Sequence, residues 1–363
     1  MLTDIIILAG GFGERLWPAS TADYPKQFLT VNDDLSFLQS AVSRALALHP
    51  TGKIIIATRY GIHEEIATQC QQLSEKVNAY GKKKIQQDLI ILAEPQPKHT
   101  AAPIVLSCYI LKLLNHDISH NVLVLTSDHI ISPVESFIAD VEKAFEAVQK
   151  DYFVTFGIKP RSPSSAYGYI QIDELKPSST GAEIKTFKEK PDHNTAVKYF
   201  SSPHYWWNSG MFAFNCDFFL NELKQCTPEI AEVFDNSINT SFLPMEDVLG
   251  IPAIMHWNEM IDAYNMVPAI ALDVAVAEKT KYAYMVPASF EWDDVGTWDS
   301  FARYAVDKTP CALIDSMNCF VYSDIPVAVC GLNDINVIIK NGVALIMRKN
   351  QDILIKEAIR KLK

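Results

Sequence analysis

The sequence predicts an α/β fold built on an open sheet, followed by a small β-rich segment and a terminal helix. Two observations carry that reading. The runs "DIIILA" (Asp4 to Ala9), "KIIIAT" (Lys53 to Thr58), "DLIILAEP" (Asp88 to Pro95) and "NVLVLTSD" (Asn121 to Asp128) are apolar without alternation, as in strands covered on both faces. Between them, "SFLQSAVSRALAL", "GIHEEIATQCQQLSEKV" and "TAAPIVLSCYILKLL" carry helical spacing, which makes the pattern repeated βα. Ligands bind such sheets beyond the carboxyl ends of the strands. A Gly-rich loop and "TSDH" (Thr126 to His129) both follow strands at that edge.

Each later element has its own justification. After about residue 150 the alternation loosens, and "YFVTFGI", "AYGYIQID", "EIKTFKEKP" and "WWNSGMFAFN" read as antiparallel or mixed strands rich in aromatic residues. From about Cys311 the short apolar pieces "CFVYSD", "VAVCGL" and "INVIIKNGVALIM" read as a β-rich appendage. The closing "NQDILIKEAIRKLK" is an amphipathic helix whose basic last turn suits the helix dipole. The expected division is a large α/β domain over 1–305 and a β-rich segment with its helix over 306–363.

Composition excludes some functions. The 363 residues, 48% hydrophobic, suffice for a large core. A net charge of -11 argues against general nucleic-acid binding, which needs a basic face, but it permits an anionic small ligand held by local cations. The 7 cysteines include no C-x-x-C pair and read as reduced thiols of a cytosolic protein. The start, "MLTDIIILAGG", has no basic n-region, and no apolar run approaches the ~18 residues of a membrane span. A soluble, cytoplasmic protein is expected.

The stretch from Leu8 to Leu29, "LAGGFGERLWPASTADYPKQFL", holds the chemistry. A dinucleotide fingerprint starting at Gly11 fails at Leu16, and a Walker A loop starting at Gly10 fails at Arg15-Leu16. What remains is a strand, then Gly10, Gly11 and Gly13, then Arg15, Pro18 and Pro25-Lys26. Glycines let backbone amides approach an anion closely. Arg15 can grip two phosphate oxygens and Lys26 can set a point charge on another. A solvated Gly-rich turn is the competing reading, and the prolines and paired cations weigh against it.

This stretch closely resembles the signature of the sugar-1-phosphate nucleotidyltransferases, in the form found in their mannose-1-phosphate guanylyltransferase branch. The resemblance continues in order through "EPQPKHTAAPI", "TSDH", "AYGYI", "FKEKPD", "WNSGMFAFN", "ALDVAVAEKT" and "WDDVGTW", and spans most of residues 1–305. It implies a Rossmann-like nucleotidyltransferase (GT-A-type) domain with a mixed sheet. It also implies an enzyme that makes GDP-mannose and pyrophosphate from GTP and mannose 1-phosphate with Mg²⁺. In that pattern Arg15, Lys26, Asp128 and Asp294 are catalytic, with Asp128 and Asp294 as the metal ligands. Leu8, Ala9, Gly10, Gly11, Gly13, Arg15, Lys26, Glu94, Thr100 and Asp128 bind nucleotide. Gly168, Glu189, Lys190 and Asn208 bind the sugar phosphate.

Read on the residues alone, Asp128 serves equally well as a helix N-cap. Asp293, the rival of Asp294, reads as a solvated surface acid, His129 reads as structural, and the charges of "FKEKPD" read as a solvated face. The chain departs from the branch at Lys98-His99, where Arg-Asn is usual, at Thr126-Ser127 (Pro-Ala) and at Ser165-Ala166 (Thr-Gly). Two other readings stand beside the first: a nucleotidyltransferase for another sugar 1-phosphate or base, and a catalytically silent regulatory paralogue that binds nucleotide sugar. No nucleic-acid or membrane partner is expected. A homodimer through the tail is left open.

Overall fold

Ile5, Ile6 and Ile7 are completely buried, as are Ile54 to Ile56 and Val122 to Val124, so the unbroken apolar runs form the interior of a sheet covered on both faces. The structure is a computed structural model that describes residues 1–11, 13–31, 34–175, 179–305 and 309–362. Strands β1 (Asp4–Leu8), β2 (Ile54–Arg59), β3 (Leu89–Glu94) and β4 (Asn121–Thr126) alternate with helices α1 (Phe37–Ala47), α2 (His63–Lys76), α3 (Ala79–Asp88) and α4 (Ala101–Leu114). After β5 (Ile130–Ser132) and α5 (Val134–Val148) come β6 (Phe153–Ile158), β7 (Tyr169–Ile172), β8 (Ala182–Lys188), α6 (His193–Phe200) and β9 (Tyr205–Asn215). Next are α7 (Cys216–Cys226), α8 (Pro228–Ser237), β10 (Glu246–Val248), β11 (Ile251–Ile254), α9 (Asn258–Met266), β12 (Ala283–Pro287), β13 (Glu291–Asp293) and α10 (Trp298–Phe301). The tail holds β14 (Cys311–Ile314), β15 (Phe320–Ser323), β16 (Val327–Cys330), β17 (Ile335–Lys340), β18 (Val343–Arg348) and α11 (Ile355–Leu362).

The chain divides into two compact units. The first comprises Met1–Gly10, Ala41–Thr126 and Ile131–Trp292. It is built on an 11-stranded sheet in the order β10-β11-β3-β2-β1-β4-β9-β6-β12-β8-β7. Strand β1 runs parallel to β2 and β4, whereas β9 is antiparallel to β4 and β6. The change to mixed pairing after residue 150 is therefore as expected. Helix α3 has no counterpart in the sequence reading. Its "AYGKKKIQQD" lacks a clean apolar face, and local bonds hold it instead. Asn78 caps it through Gly81 N at 3.0 Å, and the buried Lys84 donates to Gly52 O at 2.6 Å.

The second unit comprises Gly11–Ser40, Ser127–Ile130 and Asp293–Lys363. Its core centres on Trp298, fully buried with Leu16, Leu29, Phe37, Val295 and Phe301, and with Ile338, Leu345 and Ile355 of the tail. The β-rich segment and terminal helix thus share one core with the Gly-rich loop. Strand β14 pairs in parallel with β16, β15 in parallel with β17, and β17 antiparallel with β18. The boundary expected at 305/306 abuts residues 306–308, which lie outside the described residues.

A buried ion pair braces the amino-terminal edge of the large sheet. Asp4 Oδ1 accepts from Lys53 N at 2.7 Å, and its Oδ2 lies 2.8 Å from His120 Nδ1. His120 Nε2 lies 2.8 Å from Asn115 O. Both ring nitrogens face acceptors, which requires both to be protonated. The bond to Asp4 raises the His120 pKa above its usual value against the opposing effect of burial. A histidine pKa raised by folding contributes stability below its unfolded value of about 6.5 and loses it as pH rises through the folded value. The Tm advantage of the parent over His120→Gln, followed by circular dichroism, is accordingly largest near pH 6 and shrinks by pH 9. A difference that does not change with pH would show that the pair is not ionised.

Candidate active site

The second unit encloses a cavity of about 410 Å³ whose wall includes Gly11, Gly13, Arg15, Lys26, Asp128 and Asp294, with His129, Gly296 and Lys356 beside them. Lys26 is only 4% exposed, unusual for a lysine, and its ammonium makes two hydrogen bonds within the protein. It donates to Asp128 Oδ2 at 3.0 Å and to the carbonyl oxygen of Asp294, and it lies 5.0 Å from the centre of the Phe37 ring. Gly13 makes this possible. Its φ of +62° is left-handed, and a Cβ there would lie 2.5 Å from Lys26 Cβ and 2.8 Å from Lys26 N. The loop is pinned in turn by Ser20 Oγ, which donates to Gly13 O at 2.6 Å, and by Trp298 Nε1, which donates to Trp17 O at 3.0 Å.

Arg15 and Asp294 converge over Gly296. A Cβ on that glycine would sit 2.8 Å from Asp294 Oδ2 and 3.0 Å from Arg15 Nη1, so a side chain there would displace the guanidinium and the carboxylate together. Burial by itself would raise the Asp128 carboxyl, but the charges of Lys26 and His129 outweigh it and hold the group below the usual aspartate range. Asp128 is thus an anion facing the cavity. His129 Nε2 stands 3.8 Å from Asp128 Oδ1, in keeping with a supporting place.

The expectation for Asp293 is corrected. It is 6% exposed rather than solvated. Its Oδ1 accepts from Val295 N at 2.8 Å and Ser300 Oγ at 2.7 Å. Its Oδ2 accepts from Arg303 Nη2 at 2.8 Å and Tyr304 Oη at 3.0 Å. These bonds fold the turn that carries Asp294 and Gly296. The buried arrangement has no sequence signal, because its partners lie on the next helical turn and are individually ordinary residues.

The first unit gathers the residues assigned to the sugar phosphate. Gly168 O accepts from Asn208 N at 2.8 Å, and a Cβ on Gly168 would fall 2.6 Å from Glu189 Oε2, so only glycine leaves Glu189 in place. Lys190, with φ of +40°, donates to Glu189 Oε1 at 2.6 Å. Thr155 Oγ1 donates to Asn208 Oδ1 at 2.7 Å, and Asn208 Nδ2 donates to Asp273 Oδ1 at 2.7 Å, which fixes the amide's orientation. Nothing in the sequence singles out Asp273, although it lies in "ALDVAVAEKT". Burial first, then the Glu189 charge, push its carboxyl up to about 6.

Leu8, Ala9, Gly10, Glu94 and Thr100, assigned to the nucleotide, also lie in this unit. Leu8 ends β1, and Ala9 N donates to Ala57 O at 2.7 Å. Glu94, at the end of β3, is 5% exposed and accepts from Tyr264 Oη at 2.8 Å. Burial pushes its carboxyl up to about 8 against that bond. Its Oε2 lies 3.4 Å from where a Cβ on Gly10 would be. Thr100 Oγ1 accepts from Leu272 N at 2.8 Å, which ties the start of α4 to the turn leading to Asp273. Lys98 donates to Val267 O at 2.8 Å.

The two adjacent aspartates should separate cleanly in experiment. Asp293→Ala removes a bonded buried anion and should cost about 3 kcal/mol, a fall of several degrees in Tm. Asp294→Asn, isosteric and facing the cavity, should leave Tm within about 2 °C, since substitutions that break no buried network stay near ±0.5 kcal/mol. It should nevertheless depress turnover. Calorimetry beside a steady-state assay decides. Equal Tm losses would mean that Asp294 is structural too.

The nucleotidyl transferase family model matches residues 4–309. A mannose-1-phosphate guanylyltransferase of Escherichia coli is 30% identical over 95% of this chain and 72% of its own length. A putative mannose-1-phosphate guanylyltransferase of Vibrio cholerae is 32% identical over 99% of this chain and 74% of its own. A solved structure from Thermus thermophilus, titled a mannose-1-phosphate geranyltransferase, superposes with a TM-score of 0.81 at 25% identity, covering 100% of this chain and 99% of that one. The fold, the Gly-rich loop with its two cations and the matched span of residues agree, and the chain belongs to the nucleotidyl transferase family of enzymes.

Proposed function

We propose that the protein transfers GMP from GTP to mannose 1-phosphate, giving GDP-mannose and pyrophosphate. The observation that carries the reading is the cavity under the Gly-rich loop, where buried Lys26 and exposed Arg15 share a wall with Asp128 and Asp294. The names of the relatives supply the base and the sugar.

A sugar phosphate is already a nucleophile at neutral pH, so the reaction needs no general base, and positioning with charge stabilisation supplies most of the rate. The amides of Gly11 and Gly13 cradle phosphate oxygens. Arg15 grips the departing pyrophosphate through its planar fork. Lys26, fixed by Asp128 and by the Asp294 carbonyl, sets its charge at the α-phosphate. Glu189 accepts from sugar hydroxyls, Lys190 holds the sugar's phosphate, and Asn208, locked by Thr155 and Asp273, presents a fixed amide. Asp128 and Asp294, which offer only oxygen donors, would hold Mg²⁺. When bound, the ion neutralises phosphate charge and orients the α-phosphate. Glu94 and Thr100 belong to the base side of this reading. The place of the reaction is the cytoplasm.

A second reading keeps the chemistry and changes the base or sugar. Lys98 favours it, because an ammonium committed to the Val267 carbonyl lacks the planar fork of the arginine usual in the branch.

Pyrophosphate release from a panel of nucleoside triphosphates and sugar 1-phosphates should be fastest with GTP and mannose 1-phosphate; another pair in the lead would establish the second reading. Chelator should abolish turnover and magnesium restore it. Lys26→Ala should lower kcat by about 10²–10³ with a smaller change in nucleotide KM, and a kcat within tenfold of the parent would remove Lys26 from the chemistry. For the sugar, Glu189→Ala should raise KM for mannose 1-phosphate and narrow the preference over glucose 1-phosphate by about tenfold or more. An unchanged preference would make Glu189 a surface charge only.

A further inference from the structure

The phosphate cavity has a wall that no part of the Gly-rich signature provides. Lys356, the second residue of α11, lines it beside Arg15, Lys26 and Gly296. Its position is set by packing rather than by chance. Ile355, its neighbour, is 1% exposed and packs in the core that holds Leu16, Val295 and Trp298, the residues flanking Arg15 and Asp294. The turn before α11 is fastened to the same loop, because Trp298 N donates to Asp352 Oδ1 at 2.8 Å and Asn350 N donates to Asp299 Oδ2 at 2.6 Å. Asp299 also accepts from Asn336 Nδ2 at 3.0 Å, which adds β17 to the attachment. The root of the Lys356 side chain is therefore held by buried apolar contact and by a set of hydrogen bonds, while the residue itself stays exposed.

The charges of the cavity then need to be weighed. Lys26 is bonded to Asp128 and to the Asp294 carbonyl, which fixes its charge at one place. Arg15, Lys26 and Lys356 stand on the cavity wall with the Asp128 and Asp294 carboxylates, and the Asp352 carboxyl lies within reach of the Arg15 charge. A polyphosphate carries several negative charges and extends beyond the reach of one fixed ammonium. Arg15 and Lys356 supply the rest of the positive charge along the cavity wall. A flexible lysine stem with a compact charge suits a terminal phosphate that must be held and then released.

We propose that Lys356 is a phosphate-binding residue: its ammonium contacts the terminal phosphates of the bound nucleotide and of the pyrophosphate formed from it, so that the carboxy-terminal helix is part of the substrate site. This rests on the nucleotidyl-transfer reading given above. Seating the helix and binding polyphosphate then favour each other, because each supplies the other with a fixed opposite charge.

The test uses the full chain and inorganic pyrophosphate with magnesium as the probe, measured by isothermal titration calorimetry. Lys356→Ala should weaken pyrophosphate binding about tenfold, the loss of one charge-assisted contact. It should raise nucleotide KM by a similar factor with kcat within about threefold, and leave Tm unchanged. Lys356→Arg should recover most of the affinity. Lys361→Ala, on the same helix in an ion pair with Glu357, should behave as the parent. Binding by Lys356→Ala within twofold of the parent overturns the proposal, as does an equal loss in Lys361→Ala, which would indicate diffuse attraction by the helix. A parent that binds no pyrophosphate overturns it as well. The two readings separate: a parent that binds pyrophosphate through Lys356 but makes no nucleotide sugar removes the reaction and leaves this site standing, whereas an active parent with a silent Lys356→Ala removes only this proposal.

Discussion

The arrangement of the cavity depends on a close approach between two backbones. Gly13 passes so near to Lys26 that no Cβ fits, and this proximity keeps the Lys26 ammonium inside the protein, between Asp128 and the Asp294 carbonyl. Burying a lysine is costly unless its charge is met. Here it is met by Asp128 from the turn after β4 and by the Asp294 carbonyl from the turn after β13. A group held this way cannot swing to follow a substrate. It can only present charge at one point, which is what stabilising a developing negative charge requires.

Other acids of the chain are engaged to different degrees. Asp293 spends both oxygens on four internal donors and shapes a turn. Asp4 spends both on Lys53 N and His120 and braces a sheet edge. Asp128 lines the cavity with its charge maintained by Lys26 and His129. Asp293 and Asp4 are buried with their oxygens used up inside the protein, whereas Asp128 keeps an exposed face on the cavity.

That distinction also explains what can be read from the sequence. The parallel strands are legible because Ile5, Ile54 and Val122 sit in runs with no polar break, and the Gly-rich loop is legible because three glycines after a strand are joined by Arg15, two prolines and Lys26. The roles of Asp293 and Asp294 cannot be told apart from the residues alone, because two adjacent acids differ only in which way the backbone turns them. Asp273 is invisible as a partner of Asn208, since 65 residues separate them. Lys356 is invisible for the same reason, and more strongly. One of two lysines in a short amphipathic helix reads as solvated, and only the burial of Ile355 fixes where its neighbour goes.

Glu94 and Asp273 show a third outcome of burial, which raises both carboxyls, to about 8 and about 6. At pH 7 a group with a pKa near 8 is mostly protonated, so Glu94 can donate one hydrogen bond while accepting the one from Tyr264. Asp273 at the same pH is mostly ionised, accepts from Asn208, and repels a second charge at Glu189. A ligand that donates hydrogen bonds to Glu94 would favour its anion and release a proton on binding, whereas one that only accepts would keep it neutral. A raised carboxyl thus makes any contact with Glu94 depend on whether the partner offers a donor or an acceptor. A donor-bearing edge must overcome the cost of ionising a buried acid, and it gains a charge-assisted bond in return. That balance weakens binding of such ligands as pH falls below the Glu94 value, because more of the protein then carries the proton that binding must displace.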